Sequence, residues 1–110
     1  MLVRRDLPFA VQAVQACHAV LEMARTFPPS AGHPNLVLLG VRNESALFCA
    51  SSMLTRADIP FVVFREPDHN NEATALATVP ISGAARRHFR RFQLLKGPDH
   101  DCRTICPDPH

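Results

Sequence analysis

The run NLVLLGV, Asn35–Val41, limits the folds open to this chain more than any other stretch. It is apolar without a break and of strand length. A strand wet on one face alternates polar and apolar residues, so an unbroken run suits a strand covered on both faces. Such cover requires elements packed on either side of a sheet, and the flanking sequence predicts helices for that purpose.

Before the run, MLVRR (residues 1–5) reads as a first strand, broken by Asp6-Leu7-Pro8. From Ala10 to Phe27 the period is helical, with Val14, Cys17, Leu21 and Ala24 recurring at three- and four-residue steps. Pro28 to Gly32 ends that helix in a loop. After the run, Asn43 is a plausible N-cap for a helix from Glu44 to Arg56, with an apolar face of Ala46, Leu47, Cys49, Ala50, Met53 and Leu54. Phe61–Phe64 predicts a third strand, Arg65–Glu72 a polar loop and Thr74–Pro80 a fourth strand. A last helix is expected over Gly83–Leu95, with Phe89 and Phe92 turned inward.

The order β-α-β-α-β-β-α implies an α/β fold. Helical crossovers make the first three strands parallel, and a short connection makes the fourth antiparallel. The expectation is a four-stranded mixed sheet, three strands parallel and one antiparallel, with helices on both faces. It forms one domain over residues 1–96, with residues 97–110 as a flexible tail. In such sheets sites form at the carboxyl ends of parallel strands. Those ends are Arg5-Asp6-Leu7-Pro8, Val41-Arg42-Asn43 and Arg65-Glu66-Pro67-Asp68.

Composition excludes several classes. No apolar run approaches the ~20 residues that cross a bilayer. Arg4, Arg5 and Asp6 interrupt any signal-peptide core, so no membrane partner and a cytoplasmic location are expected. The four cysteines suggest reduced thiols, with Cys17 and Cys49 packed as small hydrophobes on helices. Cys102 and Cys106, flanked by His100 and His110, have zinc-like spacing but no scaffold, so no metal site is expected. No phosphate-cradling glycine loop or serine elbow is present.

Three polar constellations stand out. Gln15, His18 and Glu22 share one stripe of the first helix. They form either a solvated face with a His–Glu pair or a site in which His18 is a general base or orients a ligand. The segment FREPDHNNEAT, Phe64–Thr74, is either a hairpin loop rich in turn formers or a site placing Glu66 or Asp68 beside that helix. In RRHFRRF, Arg86–Phe92, the arginines fall on one face, either solvated or holding nucleic-acid phosphates.

Several segments, in order, resemble the class II, archaeal and eukaryotic type, peptidyl-tRNA hydrolases. Arg-Asp-Leu at 5–7 and AVQACHA at 13–19 look like that family's V-x-R-x-D-L…A-A-Q-x-x-H-A block. NLVLLGV with Asn43-Glu44 resembles its second strand and helix start, and TALATVP at 74–80 its T-x-L-G-x-x-P strand. The match is closer to the divergent peptidyl-tRNA hydrolase domain-containing branch. That branch carries V-A-Q-A-C-H-A, an E-Q-P-E-N loop and a K-K-F-R-L-F-K ending, matched here by VQACHA, Arg65–Asn70 and RRFQLLK at 90–96.

The resemblance implies hydrolysis of the ester joining a peptide to the tRNA 3′ end, without a cofactor, by a chain that commonly forms homodimers. By position it implies His18, Thr74 and an acid at Glu66 or Asp68 as the catalytic set. Arg5, Asp6, Gln15, Arg65, Arg86 and Arg90 are then the substrate-binding set. The alternative is a non-catalytic member that binds tRNA, a small acyl ligand or a protein. It is motivated by one departure: where the family carries a lysine tied to activity, this chain has Val11.

Overall fold

A computed structural model describes residues 1–27 and 35–96. The loop expected at Pro28–Gly32, and the tail with Cys102 and Cys106, lie outside the described residues. Five strands and two long helices follow in the order β1 (Leu2–Arg4), α1 (Phe9–Thr26), β2 (Leu39–Val41), α2 (Glu44–Arg56), β3 (Phe61–Glu66), β4 (Glu72–Thr78) and β5 (Gln93–Leu94).

The expected α/β architecture is present, with one strand more than the four expected and a different arrangement. The sheet runs β3-β4-β1-β2-β5. Strands β1 and β2 pair in parallel, while β4 pairs antiparallel with both β1 and β3. β3 therefore runs in the same direction as β1 and β2 but lies at the edge. A short connection forces β3 and β4 to be neighbours, and β4 then occupies the place beside β1.

A 3-10 helix and a short fifth strand stand where one last helix was expected. Gly83–Phe89 forms a tight 3-10 helix, and Gln93–Leu94 then pairs antiparallel with β2. Leu95 N–H extends the ladder by donating to Leu38 O at 2.9 Å. The outer edge of β2 presents unpaired backbone groups, and an extended segment satisfies them where a helix cannot. Phe89 and Phe92 do pack inward, as expected, against the Leu39 and Met53 side of the core.

The apolar run is covered only in its second half. Leu39, Gly40 and Val41 are buried, whereas Leu36 and Val37 remain exposed. The polar loop is shorter than expected because β3 extends to Glu66 and β4 begins at Glu72. A 3-10 turn at Pro67–His69 and two left-handed residues, Asn70 (φ 54°) and Asn71 (φ 58°), make the reversal. Asparagine tolerates that region better than most side chains.

Alternation along β1 divides the core. Leu2 joins Leu76, Leu47 and Leu54 on the α2 face, and Val3 joins Ala75, Ala77, Ala19 and Met23 on the α1 face. Helix α2 is built as expected: the Asn43 side chain accepts from Ala46 N–H at 3.0 Å, and Leu47, Ala50, Met53 and Leu54 are buried. Cys49 is exposed instead of packed.

Helix α1 is rotated from the expected orientation. Val14, Cys17, Leu21 and Ala24 face solvent, while Gln12, Gln15, Ala16, Ala19 and Met23 are buried. Two glutamines enter the interior because each finds partners there. Gln12 Nε2 donates to Arg5 O (3.2 Å) and Leu7 O (2.7 Å), which pins the turn from β1 into α1. The partners of Gln15 belong to the candidate site.

Candidate functional site

Where β3 meets β4 the register slips between Phe64 and Arg65: Phe64 faces Ala75, but Arg65 faces Ala73. Thr74 is the extra residue. Such a bulge re-aims side chains. Here Thr74 and Ala75 both serve the α1 face, Thr74 through Gln15 and Ala75 through the cluster containing Ala19.

The bulge is clamped from the other face of the sheet. The first residue of α2, Glu44, accepts from Ala73 N–H at 2.8 Å through Oε2. The buried Arg4 donates through Nη1 to Ala73 O at 3.2 Å and to Glu72 Oε1 at 3.3 Å. The remaining guanidinium donors engage Asp6 in a two-point fork, Nε to Oδ1 at 2.9 Å and Nη2 to Oδ2 at 2.8 Å. This geometry combines charge with orientation. The hydrogen bond and charge of Arg4 hold the Asp6 carboxyl below its ordinary range against the opposing effect of burial.

On the α1 face a chain of hydrogen bonds joins three elements. Thr74 Oγ1 donates to Gln15 Oε1 at 2.6 Å, and Gln15 Nε2 donates to Glu66 Oε2 at 2.8 Å. All three residues are buried. The other Glu66 oxygen, Oε1, accepts from Asp68 N–H at 3.2 Å. The Gln15 hydrogen bond, the Asp68 N–H and the charges of His18 and His69 hold the Glu66 carboxyl below its ordinary range, while burial pulls the other way. Glu66 is therefore ionised at neutral pH.

His18 lies one helical turn beyond Gln15 and stacks on Phe64, with ring centroids 4.6 Å apart and planes 12° from parallel. The placement follows from two periodicities. Residues 15 and 18 are neighbours on a helix face, and residues 64 and 66 share one face of a strand. Helix and strand thus bring an imidazole and a carboxylate together over one patch of the sheet. The His18–Glu22 pair of the solvated-face alternative does not form; Glu22 lies 3.8 Å from Arg25 instead.

The structure thus joins His18, Gln15, Glu66 and Thr74 in one place. Of the two candidate acids, Glu66 belongs to the network, whereas Asp68 is exposed and contributes its backbone N–H. Asp6 is held by Arg4. Arg5 is exposed; its stem lies over Gly40, where an added Cβ would meet Arg5 Cδ at 2.7 Å, and its Nη1 reaches Gln93 Oε1 at 3.4 Å. Arg65 turns to the α2 face, with its guanidinium 5.5 Å from the centre of the Phe48 ring. Arg86 and Arg90 line a cavity that none of these four residues touches.

Sequence reasoning missed two supporting residues, Arg4 and Glu44. The signal for Arg4 was a charge directly after Leu2-Val3 inside a strand; Glu44 had none beyond its place after an N-cap. Among the described residues no group of three or more His, Cys, Asp or Glu side chains is placed to hold a metal ion, and no helix is long and apolar enough to cross a membrane.

The arrangement suits proton transfer. An imidazole side chain can carry a proton to or from water, and an ionised carboxylate lies on the same patch of the sheet. The Thr74–Gln15 contact fixes the orientation of that carboxylate, as a preorganised site requires. Compared with protein-family models, curated proteins and solved structures, the chain matches none.

Proposed function

We propose that this chain is a peptidyl-tRNA hydrolase-type protein of the class II kind, cleaving the ester between a peptide and the tRNA 3′ end. The observation that carries the reading is the hydrogen-bond chain Thr74–Gln15–Glu66 beside His18. It unites the four positions to which the sequence resemblance assigns the family's glutamine, histidine, acid and threonine.

In this reading His18 takes a proton from water as the oxygen adds to the ester carbonyl. The tetrahedral intermediate collapses, the carbon–oxygen bond to ribose breaks, and the imidazolium returns the proton to the 3′ oxygen. Glu66 stabilises the imidazolium, and Gln15 with Thr74 keeps Glu66 in position. Exposed Arg5, Arg42 and Arg65, at the carboxyl ends of three strands, supply charge for tRNA phosphates.

Val11 favours a second reading, a chain that binds tRNA without turnover. An apolar side chain at the family's lysine position cannot donate to phosphate or oxyanion. Release of the blocked amino acid from N-blocked aminoacyl-tRNA separates the two readings. Turnover supports the hydrolase. Salt-dependent tRNA binding with no release, restored by Val11→Lys, supports the binding module. Absence of both binding and release overturns both.

A further inference from the structure

At the other end of β4 from Thr74 lies a cavity of about 700 Å³. Thr78, which lines it, is four residues along the strand, roughly 14 Å at ~3.4 Å per residue. Its walls are mostly apolar: Val20 and Met23 from the second half of α1, Phe27 just after it, Val79 and Ile81 after β4, and Phe89. Its volume is within the ~300–1,000 Å³ usual for small-molecule sites.

Its charge has one sign. Arg86 and Arg90 line the cavity, and both residues are exposed. No Asp or Glu is among the described lining residues, and no carboxylate among the described residues pairs with either arginine. An apolar interior bordered by two arginines complements a ligand with an apolar body and an anionic end.

We infer that this cavity binds a single-chain fatty acid, with the hydrocarbon among Val20, Met23, Val79 and Phe89 and the carboxylate on Arg86 and Arg90. Methionine and phenylalanine walls adapt to a flexible chain. Guanidinium suits a carboxylate because its donors match both oxygens. The site shares no residue with the Gln15–Glu66–Thr74 network, and the inference does not rest on the hydrolase reading.

Isothermal titration calorimetry of the full chain with dodecanoate, below its micelle concentration, tests the inference. Saturable binding is expected, with affinity rising about fourfold per methylene from octanoate to dodecanoate. Dodecan-1-ol is expected to bind at least tenfold more weakly, and dodecylammonium not to saturate. Arg86→Gln with Arg90→Gln lowers dodecanoate affinity at least tenfold and leaves dodecan-1-ol unchanged. Ala24→Phe, at an exposed position on the cavity wall, abolishes both, while thermal melting verifies the fold of each variant. The inference is overturned by no saturable dodecanoate binding, by equal binding of dodecylammonium, by affinity indifferent to chain length, or by binding only to anionic vesicles.

Discussion

Thr74 donates to Gln15 Oε1 at 2.6 Å, and this contact decides which end of the glutamine amide faces Glu66. With the oxygen occupied by a hydroxyl, the NH2 group is left to donate to the carboxylate. Thr74→Val keeps the shape and removes the donor, leaving a buried acceptor without a partner. The expected loss is about 1–3 kcal/mol. Denaturant unfolding measures it, with Thr74→Ser expected to retain most of the stability.

The two carboxylates with depressed titration set the acid limit of the fold. Each contributes stability that is fully present above its unfolded value and is lost as pH falls through its lower folded value. The ordinary values are 4.5 for Glu66 and 3.8 for Asp6. Stability is therefore expected to be flat near neutrality and to fall as pH drops below about 4.5. Melting temperatures across that range test this, and Glu66→Gln and Asp6→Asn should each make the acid decline shallower.

Arg4 and Arg5 are adjacent in sequence and opposite in consequence. Arg4 is buried and satisfies Asp6, Glu72 and the Ala73 carbonyl; Arg5 is exposed with one long contact to Gln93. Arg4→Met is expected to cost roughly 1–3 kcal/mol, because partners are left unpaired at the clamp. Arg5→Gln is expected to stay within about 0.5 kcal/mol. Unfolding midpoints that rank the pair in the reverse order would contradict the clamp.

The exposed apolar stripe of α1 gives a comparable contrast. Leu21→Gln and Val14→Gln are expected to change stability by no more than about 0.5 kcal/mol. Leu54→Ala, in the fully buried α2 cluster, is expected to cost about 2–5 kcal/mol.

These contrasts mark where the sequence was legible. Helix α2 was readable because one cap and one apolar face agree. Helix α1 has apolar residues on two sides, so periodicity alone could not choose between them. The choice depends on Thr74 and Glu66, 59 and 51 residues away from Gln15 in the chain. Strand β5 has no pattern of its own, since two residues become a strand only beside the open edge of β2. His18 and Gln15 were visible as one stripe. Their union with Glu66 needed the β3–β4 hairpin, and the position of Thr74 needed the bulge that Arg4 and Glu44 hold.

The most direct test of the central claim is the rate of release from N-blocked aminoacyl-tRNA by the wild-type chain and by His18→Ala and Glu66→Gln. Wild-type turnover is expected, with His18→Ala slower by about 10²-fold or more and Glu66→Gln intermediate, on chains whose circular dichroism is unchanged. Variants that release as fast as the wild-type chain would show that the imidazole stacked on Phe64 and the carboxylate held by Gln15 do not form a reaction centre.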